Sequence, residues 1–189
     1  MHTDSPHHRY YRAMEGHWRG NVRFEITDPK RLRASALRLS DRWSVWTMAL
    51  LSRRLSTLVL STSVDYASRG HKNEVLHTTR TSNLGVTLYR SRETIRLEDD
   101  GRSFRMTGAQ AFFPLLWKTT EWAAHGAVAA DHRGAVYHIP FFGETIVQHT
   151  RTTPQGLEVI QTTPFSRATI LLHQRPLRVE PDVAAYGGS

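Results

Sequence analysis

The chain contains no cysteine. That excludes a disulfide framework, a thiolate nucleophile and any cysteine-ligated metal centre, and it fits a cytoplasmic protein. Lysine is almost absent as well, standing only at Lys30, Lys72 and Lys118, although Lys and Arg together number 25 against 17 acidic residues. The net charge of +8 is therefore an arginine charge. It is scattered along polar strand positions with no dense basic cluster and no nucleic-acid motif, so no nucleic-acid partner is expected. Long apolar runs are missing too. The most apolar stretch, LSTLVLSTSV, is too short to span a bilayer and follows directly on Arg53 and Arg54. The N-terminal MHTDSPHHRYYR has no apolar core of the kind a secretory signal needs. There is no Gly-rich phosphate loop and no Rossmann or Walker signature. Despite 11 histidines there is also no His-x-His or His-Glu-x-x-His spacing. No metal site and no cofactor are expected on these grounds.

What is present is alternation. In GHWRGNVRFEIT, Trp18, Gly20, Val22, Phe24 and Ile26 fall on one side and Arg19, Asn21, Arg23, Glu25 and Thr27 on the other. A period of two gives one dry face and one wet face, the pattern of a half-buried strand. The period then changes. In DPKRLRASALRLSDRWSVWTMALLSRR the apolar residues Leu32, Ala36, Leu39, Trp43, Trp46, Leu50 and Leu51 recur mostly at three and four. Asp28 and Pro29 stand where an N-cap and first helical residue belong. From Leu55 onward alternation returns, broken at short intervals by SRGHKN, SNLG, EDDG, DHRG, TPQG and PFSR, which is hairpin chemistry. Nine or ten strands in meander order follow. With 189 residues and 39% hydrophobic content, one domain with a sizeable core is expected. Its barrel should run over about residues 15–175, between tails (Met1 to Arg12 and Val179 to Ser189) that read as loose.

A long antiparallel meander hides its edges by closing on itself. The expected fold is all-β, an antiparallel up-and-down barrel with a helical segment between the first two strands. Gly16-His17-Trp18 at the head of the first strand, followed by this architecture, resembles the lipocalin-like barrels of the calycin group. The resemblance implies that Trp18 plugs one end, with Arg175, or failing that Arg167, stacked on its indole. It also implies a hydrophobic ligand inside. Barrels of this shape include fatty-acid carriers, haem proteins and cyclases. The chain departs from typical lipocalins in having no cysteine and in placing its helical segment early.

Hairpin arithmetic assigns faces. With TPQG as the turn, Gln148 meets Gln161 inside and Arg151 meets Glu158 outside. With EDDG as the turn, Ile95 meets Phe104 and Glu93 meets Met106. With DHRG as the turn, Val128 meets Tyr137. Across SNLG, His77 falls opposite Ser91, with Glu93 one step along. His77 and Glu93 are thus the candidate catalytic pair, since a buried His and Glu within reach of one another suit general acid–base work. A structural polar pair is the other reading. Phe24, Tyr66, Tyr89, Met106, Trp122, Tyr137, Gln148 and Gln161 are the candidate ligand-binding residues, with Trp43 and Trp46 as a lid. The two glutamines are suited to bind a ligand carbonyl or one another. Three functions remain open: non-redox isomerisation or cyclisation of a hydrophobic small molecule, carriage of such a molecule without chemistry, and haem binding through His77. Oligomeric state is not readable from the sequence.

Overall fold

The computed structural model describes residues 5–35, 58–69, 73–113, 115, 119–141 and 143–175. The alternating segments form ten strands. They are β1 (Gly16–Ile26), β2 (Leu58–Arg69), β3 (Glu74–Asn83), β4 (Val86–Leu97), β5 (Ser103–Phe112), β6 (Thr120–Val128), β7 (Gly134–Phe141), β8 (Glu144–Thr153), β9 (Gly156–Thr163) and β10 (Ser166–Arg175). Each pairs antiparallel with its neighbour in sequence, and β10 pairs with β1, so the sheet is a closed barrel. Closure gives every strand a partner on both sides, which a flat sheet would deny its two end strands. No helix among the described residues is long and apolar enough to cross a membrane.

Two helices flank the first strand, α1 (Pro6–Met14) and α2 (Pro29–Ser35). The second lies between β1 and β2, as the change of period predicts. Asp28 caps it, its Oδ1 accepting from the backbone N–H groups of Lys30 and Arg31, each at 3.0 Å. Leu32 is fully buried against Phe165, Ile26 and Phe141, which pins α2 to the barrel rim where β9 turns into β10. The remainder of the expected helical segment, with Trp43 and Trp46, lies outside the described residues.

The first helix corrects the sequence reading, which took this stretch as a loose tail. His7, Tyr10, Tyr11 and Met14 are all buried. Their spacing of three, four and seven places them on one helical face. That face closes one end of the barrel. Trp18 is 5% exposed, and its Nε1 donates to the Met14 carbonyl oxygen at 2.8 Å. Trp18 therefore does sit in the plug, but helix α1 covers it rather than an arginine. Arg175 and Arg167 pair with His17 and Glu25 on the outer face, with their side chains exposed.

Three registers also differ from simple hairpin arithmetic, each by two residues. Ile95 meets Met106 and Glu93 meets Gly108, because the β4–β5 connection is organised by Asp100. Its Oδ1 accepts from Arg102 N at 2.8 Å and Ser103 N at 2.7 Å. Val128 meets Ala135, and Tyr137 meets Gly126. His77 meets Glu93, not Ser91. Here the turn is the two-residue Leu84-Gly85, with φ of 47° and 82°, the doubly left-handed geometry that suits the strand twist. A bulge then leaves Leu88 between the Ser82–Thr87 and Thr81–Tyr89 pairs. Without that extra residue, His77 would face Arg92 and Glu93 would point outward. The β8–β9 register agrees with the arithmetic, with Gln148 opposite Gln161 and Arg151 opposite Glu158.

Candidate functional site

The barrel encloses a cavity of about 230 Å³. Its lower part is bounded by the plugged end. Phe24, Phe112, Phe113 and Phe141 lie toward the opposite rim. Ten of the residues assigned from sequence line it: His77, Glu93, Phe24, Tyr66, Tyr89, Met106, Trp122, Tyr137, Gln148 and Gln161. The two tryptophans assigned as a lid, Trp43 and Trp46, lie outside the described residues. Small inward residues do not all make room. At Gly126 the space a β-carbon would take is filled by the Phe104 ring, whose Cζ stands 2.3 Å from that point.

The centre of the site is one row of side chains that crosses five strands. Tyr66 of β2 stands opposite His77 of β3, His77 opposite Glu93 of β4, Glu93 opposite Gly108 of β5, and Gly108 opposite Trp122 of β6. The Tyr66 and His77 rings stack with centroids 4.5 Å apart and planes 24° from parallel. His77 Nδ1 and Glu93 Oε2 form an ion pair, and their side chains are 13% and 5% exposed. His77 Nε2 lies 3.3 Å from Thr79 Oγ1. Gly108 is required for this convergence. A β-carbon there would stand 2.8 Å from Glu93 Cγ, 3.0 Å from the Arg92 carbonyl oxygen and 3.1 Å from Trp122 Cζ2. The glycine thus lets the carboxylate arm and the indole meet above the sheet.

The phenols around this row stay protonated at neutral pH. Burial pushes the Tyr66 hydroxyl well above its ordinary pKa, with Tyr10 and the charge of Glu93 acting in the same direction. Burial and then Glu93 raise Tyr89, against a smaller opposing effect of Ser91. Tyr11 and Tyr137 are raised chiefly by burial too, and their hydroxyls lie 3.1 Å apart. Such phenols can donate hydrogen bonds but are poor bases. The glutamines satisfy one another. Gln161 Nε2 donates to Gln148 Oε1 at 2.8 Å, and Gln148 Nε2 donates to Thr150 Oγ1 at 3.2 Å. Besides these phenols, the titratable groups among the described lining residues are His77 and Glu93.

Met106 is buried among the core residues and Phe24 packs beside Val22 and Leu60, away from the end closed by α1. The sequence reading missed Tyr10 and Tyr11, although the helical spacing of RYYRAM was the available signal. It also missed Gln110, which lies on the cavity wall and whose Oε1 is 3.5 Å from the Tyr89 hydroxyl.

Fold and site together define a closed ten-strand antiparallel barrel of lipocalin-like architecture, built around an internal, largely apolar cavity with one buried acid–base pair. No protein-family model matches the chain, and no curated protein matches it in sequence.

Proposed function

We propose that the protein takes a small hydrophobic molecule into its barrel and catalyses a non-redox rearrangement of it, an isomerisation or cyclisation, with His77 and Glu93 moving the proton. Membership of the calycin group and a cytoplasmic setting belong to the same proposal. The observation that carries it is the ion pair itself. Burying two ionisable groups costs free energy that a purely apolar wall would not, and such pairs concentrate at functional sites. This one stands on the wall of the cavity, between a stacked phenol and an indole. In such a site Glu93 or His77 would take a proton from one carbon or oxygen of the bound molecule, and the pair would return it at another position. The apolar wall would hold the substrate folded while excluding water, which is where much of the rate of such a reaction arises.

A carrier without chemistry is the second reading, favoured by the glutamine pair, whose polar groups are spent on each other. One experiment separates the two. Native mass spectrometry of the purified protein, with extraction of whatever it retains, identifies the ligand class, and conversion of that compound is then followed. Glu93→Gln keeps the shape and removes the charge. It should lower the rate by about 10²–10⁴-fold, the usual contribution of a positioned acid or base, with ligand affinity little changed. An unchanged rate would remove the catalytic assignment, and absence of turnover in the wild type would leave the carrier.

A further inference from the structure

Among the described residues lining the cavity, one buried polar group has neither a hydrogen bond nor a charged partner. Trp122 Nε1 is buried and makes no hydrogen bond, although the indole lines the cavity beside Glu93. A buried N–H left unpaired is costly, and it is satisfied when a bound molecule brings an acceptor to it. The second observation is the charge of the wall. The chain has 25 Lys and Arg residues, yet none of the described residues lining the cavity is one of them. Among those described lining residues the only basic group is the His77 imidazole, and it is already paired with Glu93. A carboxylate entering the cavity would lose its hydration and find no cation among these residues, and an ammonium would find no free carboxylate among them.

We propose that the ligand is electrically neutral and carries a hydrogen-bond acceptor, a carbonyl or hydroxyl oxygen, which seats on Trp122 Nε1 next to the His77–Glu93 pair. The rest of the molecule is hydrocarbon, held between this row and the phenylalanines toward the rim opposite α1. Carboxylate ligands such as fatty acids are disfavoured by the same wall. This inference rests on the reading that the cavity takes a small hydrophobic molecule, and it names the class.

A matched series on one chain length tests it: octan-2-one, octan-1-ol, octane, octanoate and octylamine, titrated calorimetrically into the wild-type protein at neutral pH. The ketone and alcohol should bind about tenfold more tightly than octane, as expected for one hydrogen bond to a buried donor that is otherwise unsatisfied. Octanoate and octylamine should bind more weakly than either. Trp122→Phe keeps the ring and deletes the donor, so the ratio of ketone to octane should fall toward one. If that variant does not fold, the indole N–H resonance of Trp122 in the wild type should shift with octan-2-one and not with octane. Octanoate equal to or tighter than the ketone, or a ketone preference untouched by Trp122→Phe, overturns the inference while leaving the cavity reading standing. Failure of the entire series to bind overturns both.

Discussion

Alkali should unfold this barrel sharply, and the tyrosines say by how much. Tyr10, Tyr11, Tyr66 and Tyr137 are 0%, 2%, 5% and 2% exposed, and burial raises all four pKa values far above the ordinary 10.0. In the unfolded chain each ionises near pH 10, whereas in the barrel each remains neutral. Because the folded pKa values are the higher ones, the unfolded chain releases protons first. Stability is complete below about pH 10 and is lost as the pH rises toward the folded values. Each phenol that ionises only on unfolding removes about 0.4 kcal/mol at pH 10 and about 1.4 kcal/mol at pH 11. Four together remove about 1.6 kcal/mol at pH 10 and about 6 kcal/mol at pH 11. Tyr89 is only half-buried and adds less. A domain at the low end of ordinary stability, about 5–6 kcal/mol, should therefore reach its midpoint near pH 11 without denaturant. Urea titrations between pH 8 and 11 measure the slope, and phenolate absorbance reports ionisation. Tyr66→Phe should make the slope between pH 10 and 11 shallower by about 1 kcal/mol per pH unit. Tyrosines that titrate reversibly near pH 10 in a barrel whose circular dichroism is unchanged would refute the reasoning, because the phenols would then not be buried as described.

The remaining expectations concern the row and the plug. His77→Leu strands a nearly dry carboxylate at Glu93, so it should cost about 3–5 kcal/mol, whereas His77→Leu with Glu93→Leu should cost much less than the two single changes added. Additive losses in urea unfolding would mean that the pair is not coupled. Gly108→Ala should cost about 1–3 kcal/mol in thermal unfolding, because its methyl group would push against Glu93, Trp122 and the Arg92 carbonyl. A neutral effect would place Glu93 elsewhere. Trp18→Ala should cost about 3–5 kcal/mol, the range for a large buried aromatic, while leaving ligand affinity nearly unchanged. The opposite pattern, stability retained and binding lost, would move Trp18 from the plug to the ligand.

Parity was the part of this protein legible from its residues alone. Alternation at Trp18, Val22 and Phe24, and again at Tyr66, His77, Glu93 and Trp122, says which side chains face inward. A face depends only on odd or even position along a strand, a property of the extended backbone. The three misjudged registers were each wrong by two, so every inward residue stayed inward while its neighbour changed. Neighbours were decided by the tertiary structure. The partner of His77 depends on a left-handed Leu84-Gly85 turn and a bulge at Leu88, and the loop before Phe104 depends on Asp100. These are local geometries with close competitors in energy, selected when the barrel closes. The role of α1 was likewise out of reach. Its apolar spacing was present, but a nine-residue helix is marginal by itself and becomes informative only when Tyr10, Tyr11 and Met14 have a barrel end to fill. The cavity and its unpaired indole N–H exist only as a relation between distant strands. Whether large inward side chains fill a barrel or leave a space depends on packing in three dimensions, which no periodicity encodes.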